Sequence, residues 1–255
     1  MSQAHIQIQL NGQTVACQPN ESLLNIAKRL GIAIPHLCYK EGMATAGNCR
    51  ACVVEVKGER TLAPSCCRNA SNGMEVTTNS ERAIRSQKLV LELLQTDFTT
   101  ELREEKNELS IWSKKLGIAK SRFTTPQAIK KDQSHPAISV NLDACILCTR
   151  CVRACRETQV NDVIGLAFRG SEAKIVFDMD AVMGNSTCVA CGECVQACPT
   201  GALLPAAAVA QRIPDQSIDS VCPYCGVGCQ LTYQVKDNTI IAVDGRDGPA
   251  NHQRL

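Results

Sequence analysis

The protein has 255 residues, 17 cysteines, only 3% aromatic residues and a formal net charge of +2. A near-neutral chain gives no electrostatic reason to expect binding to nucleic acid or to an anionic membrane surface. No stretch offers the roughly eighteen apolar residues of a membrane-spanning helix, and residues 1–13 lack the pattern of an export signal. Because disulfides are rare in the cytosol, this cysteine content predicts thiolate ligands in a cytoplasmic protein.

The chain is predicted to be an α+β protein, and its residues 1–79 predict a small β-grasp domain of the ferredoxin kind. The alternating run Ile6–Leu10, the pair Asn11-Gly12 and the run Thr14–Cys17 predict an antiparallel hairpin. Apolar residues at helical spacing follow, and we expect Asn20 to cap this helix and Gly31 to end it. Cys17, alone on its strand, is interpreted as a small core residue.

Four further cysteines of this domain have the spacing C-x10-C-x2-C-x13-C. They are Cys38, Cys49, Cys52 and Cys66. Four thiolates suffice for a [2Fe–2S] cluster, although the first gap is longer than in plant-type ferredoxins, and a zinc or redox thiol site is the alternative. Cys67 is the competing candidate for the fourth position. We expect His36 to be a loop residue, because four cysteines are already available.

Residues 80–137 are predicted to form a helical linker. An apolar face and a capping serine, Ser80, predict a helix at its start. The charged run Glu101–Glu108 indicates a solvated helical face, and the basic segment 114–131 is either a solvated linker or a docking patch. The stretch Phe123–Pro136 has turn residues and marks a boundary.

Residues 138–210 contain the same C-x2-C-x2-C-x3-C run twice, the second followed by proline. Its members are Cys145, Cys148, Cys151 and Cys155, then Cys188, Cys191, Cys194 and Cys198. In two-cluster ferredoxins the fourth cysteine of each run ligates the other cluster. This rule predicts two [4Fe–4S] clusters, with Cys198 joining the first three thiolates and Cys155 joining the second three. A zinc site or a disulfide framework fits this layout poorly. We expect a hairpin insertion between the two runs, with a strand at Ala173–Phe177.

The last segment, residues 218–255, contains a C-x2-C-x3-C motif with glycines between the thiols, formed by Cys222, Cys225 and Cys229. A strand, a turn and another strand are predicted from Gln234 to Gly245.

The spacing of Cys38–Cys66 resembles the N-terminal domains of three groups of proteins. These are the large iron–sulfur subunit of respiratory complex I, iron-only hydrogenases and NAD-dependent formate dehydrogenases. The amino-acid sequence of Val221–Leu255, including Asp247–His252, is similar to that of cytoplasmic formate dehydrogenase catalytic (alpha) subunits. The resemblance runs from Cys38 onward, except that the His-x3-Cys-x2-Cys-x5-Cys cluster common in these families has no ligands here.

The resemblance implies an electron-transfer arm of an NAD-dependent formate dehydrogenase. Formate would be oxidised, or carbon dioxide reduced, at a molybdenum or tungsten bis-pterin centre, and a flavin- and NAD-binding iron–sulfur subunit would be the partner in a hetero-oligomer. Cys222, Cys225 and Cys229 would hold a third [4Fe–4S] cluster, whose fourth cysteine is expected directly after Leu255. None of the ligand residues would be catalytic, and the 255-residue chain alone is expected to be inactive.

Three alternatives stay open at this point. The chain could be a complex I-like or hydrogenase-like subunit, a stand-alone electron carrier or assembly module, or a zinc-binding scaffold. The Val221–Leu255 segment favours formate dehydrogenase over hydrogenase, because hydrogenases have no pterin domain.

Overall fold

The computed structural model of the protein describes residues 6–97, 107–123, 130–206 and 214–251. In chain order it contains a mixed sheet with one helix, two connecting helices, a unit of short helices and strand pairs, and a three-stranded antiparallel sheet. This mixture of helix and sheet confirms the predicted α+β class. Among the described residues, no helix combines the length and apolar character needed to cross a membrane.

The N-terminal sheet has five short strands. They are β1 Ile6–Leu10, β2 Gln13–Cys17, β3 Val53–Val56, β4 Ala63–Pro64 and β5 Glu75–Thr77. Their order is β2-β1-β5-β3-β4, with β1 and β5 parallel and the other pairs antiparallel. The predicted hairpin of β1 and β2 is confirmed. Asn11 and Gly12 form its turn with φ angles of 52° and 83°, values that asparagine and glycine tolerate best.

Helix α1, Leu23–Arg29, buries its apolar face against this sheet. Ser22, and not Asn20 as predicted, caps it: the Ser22 hydroxyl accepts a hydrogen bond from the Asn25 N–H at 3.2 Å. A capping residue needs extended backbone, which Ser22 has, whereas Asn20 adopts a left-handed turn with φ 62°. Gly31 ends the helix at φ 72°, as predicted.

The connection contains helices α2, Glu81–Leu94, and α3, Glu108–Lys115. The predicted cap of α2 is confirmed, since the Ser80 hydroxyl accepts from the Ala83 N–H. Most of the predicted charged run 101–108 lies outside the described residues, as does part of the predicted irregular stretch 123–136. Leu91 of α2 and Leu109 of α3 share a buried cluster with Leu37 and Ile146, so the connection packs against the regions on both of its sides.

The central unit has helices α4 Arg150–Arg153 and α5 Glu193–Ala197, with a π-helical turn directly after α4. Its strands are β6 Ile138–Val140, β7 Ile164–Ala167, β8 Lys174–Phe177 and β9 Leu203–Pro205. Strands β7 and β8 pair antiparallel between the two cysteine runs, which confirms the predicted hairpin insertion. Strands β6 and β9, at the start and the end of the unit, pair antiparallel with each other.

The C-terminal sheet consists of β10 Gln216–Val221, β11 Gln230–Lys236 and β12 Thr239–Gly245. The two strands predicted within 234–245 are confirmed, with a turn at Asp237 and Asn238. Strand β10 was not predicted. Its mostly exposed residues give no apolar pattern, and pairing with β11 makes it a strand.

Candidate metal centres

The first candidate site lies where three loops meet at one edge of the N-terminal sheet. Cys38 follows α1, Cys49 and Cys52 precede β3, and Cys66 follows β4. Cys38, Cys52 and Cys66 are buried, while Cys49 is half-buried. The Cys38 N–H donates to the Cys49 sulfur at 3.4 Å, which holds two of the loops together. The fold therefore brings all four predicted residues to one place.

Contacts among these thiols lower the pKa of some of them and raise the pKa of others. Side-chain hydrogen bonds with Cys49 and Cys66 hold the pKa of Cys38 far below its ordinary value, while hydrogen bonds with Cys38 and Cys52 raise the pKa of Cys66. Contact with Cys66 also lowers the pKa of Cys52, to about 7. Sulfur atoms this close favour thiolate at some positions, and thiolate is the form that binds metal.

Cys66 and Cys67 occupy different surroundings although their sulfurs are 3.5 Å apart. Cys66 is 2% exposed and contacts Cys38 and Cys52, whereas Cys67 is exposed. The Cys67 sulfur lies against Gly47, where a Cβ would approach it to 2.6 Å. This position places Cys67 on the outer side of the four-thiol group, in agreement with Cys66 as the ligand.

The second candidate site is a cavity in the central unit. Its lining includes four sulfur-bearing residues, Cys145, Cys148, Cys151 and Cys198. Burial raises the pKa of the Cys148 thiol to about 12, with smaller contributions from Cys198 and Cys145. Leu147 and Thr149, on either side of Cys148, both have φ angles above 50°, a left-handed conformation that is uncommon for such residues. The backbone is thus wound tightly around this cavity.

The third candidate site is formed around Cys194. Burial raises the pKa of this thiol to about 12, and the further causes are its neighbours Cys188, Cys191 and Cys155. Cys155 belongs to the first cysteine run, as Cys198 belongs to the second. The neighbours of the cavity and of Cys194 are those that a crossed ligand pattern requires, and the ligand assignment itself stays a prediction.

The fourth candidate site, at Cys222, Cys225 and Cys229, is more open than the others. Cys225 is exposed, and the other two cysteines are half-buried. The Cys222 N–H donates to the Cys229 carbonyl at 2.8 Å, and Gly226 and Gly228 supply the positive φ angles of the turn between them. Three thiols thus lie on one tight loop between β10 and β11.

Two residues that the sequence analysis missed connect the first and second sites. Arg150 and Arg153 of α4 are 3% and 9% exposed. Arg153 donates to the backbone carbonyls of Cys38, at 2.6 Å, and Cys148, at 3.3 Å. Arg150 donates to the Tyr39 carbonyl and forms a two-bond ion pair with Glu108. No local pattern signals such contacts, because the Arg153–Cys38 and Arg150–Tyr39 bonds join residues more than a hundred positions apart.

The donor sets at the first three sites fit iron–sulfur clusters, each offering four cysteine sulfurs, the ligands these clusters prefer. Within the described ranges, no group of three or more His, Cys, Asp or Glu side chains is arranged to hold a single metal ion. In a [4Fe–4S] cluster each thiolate binds a different iron, and in a [2Fe–2S] cluster two thiolates bind each iron, so the four sulfurs need not converge on one point.

Three family models match consecutive parts of the chain. Residues 3–81 match the 2Fe-2S iron-sulfur cluster binding domain, residues 127–202 the 4Fe-4S dicluster domain, and residues 215–255 the molybdopterin oxidoreductase Fe4S4 domain. These matches, with the cysteine geometry, define the class: the chain is an iron–sulfur protein with [2Fe–2S]- and [4Fe–4S]-binding domains in series. The zinc scaffold interpretation is not supported.

Relatives of the chain belong to redox complexes. The chain is 30% identical to an NADH-quinone oxidoreductase subunit of Rhizobium meliloti, over 93% of its length and 29% of that protein. It is 35% identical to the HndD subunit of the NADP-reducing hydrogenase of Solidesulfovibrio fructosivorans, over 77% of its length and 35% of that protein. A Staphylococcus haemolyticus protein, whose name marks formate dehydrogenase as an unproven assignment, is 25% identical over 98% of the chain. The chain thus spans about a third of the curated relatives it matches.

A solved structure of an NAD+-reducing [NiFe]-hydrogenase in the H2-reduced state has the same architecture. It superposes with a TM-score of 0.72 at 28% identity, covering 79% of this chain and 88% of that one. The chain is therefore homologous to iron–sulfur subunits of oxidoreductases.

Proposed function

We propose that the protein is the iron–sulfur electron-transfer arm of an NAD-linked oxidoreductase, and specifically of a molybdenum- or tungsten-dependent formate dehydrogenase. The observation that carries this proposal is the order of the modules. Two ferredoxin-like units precede a segment, residues 215–255, that matches the Fe4S4 domain of molybdopterin oxidoreductases. Such an order suits a chain that connects a pterin centre with a nicotinamide-reducing partner.

We propose four ligand sets, which the grouping of the cysteines supports. They are Cys38, Cys49, Cys52 and Cys66 for a [2Fe–2S] cluster; Cys145, Cys148, Cys151 and Cys198 for one [4Fe–4S] cluster; Cys188, Cys191, Cys194 and Cys155 for another; and Cys222, Cys225 and Cys229 for part of a third. Clusters bound there supply one-electron transfer. The chain's own residues bind the iron as thiolates, exclude water from the buried sites and donate backbone hydrogen bonds to sulfur, all of which set reduction potentials.

The proposed domains are 1–79, 80–137, 138–210 and 218–255, the second being a helical linker without a cluster. The proposed partner is a flavin- and NAD-binding iron–sulfur subunit in a cytoplasmic hetero-oligomer. Either direction, formate oxidation or carbon dioxide reduction, is compatible with such an arm. No residue of this chain is proposed to be catalytic.

A complex I-like or hydrogenase-like role is the second candidate, favoured by the relatedness to the Rhizobium NADH-quinone oxidoreductase protein and to the hydrogenase structure. The hydrogenase protein HndD aligns with 77% of the chain, whereas the Staphylococcus protein aligns with 98% of it. Coverage favours the formate assignment over the hydrogenase only, since the Rhizobium protein aligns with 93% of the chain. The match to the Fe4S4 domain of molybdopterin oxidoreductases is what favours formate.

The experiment is a comparison of electron donors with the intact complex purified from its host. Formate, NADH and hydrogen are each supplied with an artificial electron-acceptor dye, and metal analysis measures molybdenum, tungsten and nickel. We expect formate-dependent dye reduction and one equivalent of molybdenum or tungsten. Dye reduction by hydrogen but not formate, or a preparation without molybdenum and tungsten, would contradict the formate assignment.

A further inference from the structure

Arg153 lies at the point where the first and second cluster sites meet. Its guanidinium donates to the carbonyl of Cys38, a ligand residue of the first site, and to the carbonyl of Cys148, a ligand residue of the second. A third hydrogen bond, to the Ala44 carbonyl at 2.5 Å, fixes the loop that follows Cys38. One side chain therefore spans the two ligand loops.

The contact between these loops has further support around Arg153. The Asn48 side chain donates to the Leu147 carbonyl at 3.1 Å, next to Cys49 on one side and Cys148 on the other. The Cys38 and Cys148 side chains also belong to the same buried apolar cluster. The first site thus faces the Cys145–Cys198 site across a boundary held by hydrogen bonds and a shared apolar cluster.

The positive charge of Arg153 has an unusual environment. The side chain is nine-tenths buried, and each acceptor recorded for it in the described part of the chain is a neutral backbone carbonyl. Its Nε–H is buried without a hydrogen-bond partner there. A buried charge needs a counter-charge nearby, and thiolate-ligated clusters carry net negative charge.

Arg150, one turn earlier, shows the contrast. It is 3% exposed and its Nε–H also lacks a hydrogen-bond partner among the described residues, but Glu108 neutralises it through hydrogen bonds of 2.6 and 2.9 Å. Arg150 therefore has an ion-pair partner, whereas Arg153 has no ion pair among the described residues. The Glu157 carboxylate accepts from the N–H of Ala44, whose carbonyl accepts from Arg153, and the two flanking sites would add negative charge when clusters are bound.

We propose that Arg153 is the positioning residue that couples the Cys38–Cys66 site to the Cys145–Cys198 site. Its fork of donors holds the two ligand loops at a fixed spacing, and its charge favours the reduced, more negative state at both sites. One electron passes between the two sites and no bond is formed or broken. This inference rests on the proposed electron-transfer function and deepens it, because it makes the boundary at Arg153 the path between the two ferredoxin-like units.

The test uses the intact, cluster-loaded protein and replaces Arg153 by Gln, which removes the charge, or by Lys, which keeps it. Potentiometric titration followed by electron paramagnetic resonance measures the reduction potential of each cluster. Arg153→Gln should lower the reduced-to-oxidised ratio at fixed potential about tenfold at both flanking sites, a shift of about 59 mV for one electron. The Cys188 site should change much less, by about twofold.

Arg153→Lys should keep both potentials close to those of the unmodified protein but weaken the magnetic interaction between the two clusters, because lysine lacks the planar fork. Arg156→Gln is the matched control, since Arg156 lies three residues further along, is 58% exposed and is paired with Asp162. This control should shift no potential, because solvent screens its charge.

Equal shifts at all three sites in Arg153→Gln, or no shift with full iron content, would overturn the proposal. If Arg153→Gln loses iron, Arg153→Lys decides, and a tenfold change of potential in that variant would overturn it as well. Formate does not enter these measurements, so a negative result here leaves the substrate assignment intact, and failure of that assignment leaves this test valid.

Discussion

The Cys38–Cys66 site and the Cys222–Cys229 site differ in how the fold surrounds them. Cys52 and Cys66 belong to the hydrophobic core of the N-terminal sheet, and Cys38 to the apolar cluster shared with α2 and α3. The C-terminal thiols lie on a surface loop beside Tyr224 and Val227, which are 88% and 62% exposed. One site is built into a core, and the other is presented on a surface.

The difference indicates two ways in which a chain can prepare a metal site. Burial and four thiols from separate loops pre-organise the first site, so that metal binding adds its free energy to the folding of the domain. A three-thiol loop on a surface has local geometry alone. The exposure of its thiols leaves such a site open to solvent.

Removing one sulfur from a buried site is expected to have the largest effect. Cys198→Ala should abolish the cluster held by Cys145, Cys148 and Cys151, because the cavity then offers only three sulfurs. The cluster held by Cys188, Cys191 and Cys194 should survive, since its fourth sulfur comes from Cys155. Iron content and cluster-resolved magnetic spectra of the reduced variant measure this, and loss confined to the Cys188 set would show that the ligands are not crossed.

Substitutions of the adjacent residues Cys66 and Cys67 test which of them is the fourth ligand of the first site. Cys66→Ser should leave the buried site with three thiols. Iron release to a chelator should then be about 100-fold faster, because losing a ligand weakens metal binding at least as much as losing a hydrogen-bond partner of a ligand does. Cys67→Ser is the matched control, because it changes an adjacent sulfur outside the group. The visible absorption of the [2Fe–2S] cluster reports both rates, and faster loss in Cys67→Ser than in Cys66→Ser would reverse the assignment.

The smallest effect is expected when the two unmodified sites are compared. Iron at Cys222–Cys229 should reach a chelator about tenfold faster than iron at Cys38–Cys66, because Cys225 is exposed and Cys222 and Cys229 are half-buried, whereas most thiols of the first site are buried. Cluster-resolved spectra recorded during chelation measure the two rates of iron loss. Equal rates at the two sites would contradict the view that exposure of the thiols governs iron loss.

Much of the local structure followed from residue patterns. The Asn11-Gly12 turn, the Ser80 cap and the β7–β8 insertion were all predicted, because each depends on residues close together in sequence. The prediction of Asn20 as a cap was wrong, since the preceding loop gives that residue a left-handed conformation. Strand β10 was missed because its pairing with β11, rather than its own pattern, makes it a strand.

The sequence by itself determined the kinds of metal site, because cysteine spacing is a local property and each cluster type constrains it. Only the tertiary structure decided that Cys67 is exposed while Cys66 is buried, and that Arg153 lies between two ligand loops. The Arg153–Cys38 hydrogen bond joins residues 115 positions apart. Such contacts arise from the packing of α4 against the N-terminal domain, and the free energy of that packing is distributed over many residues that no short motif records.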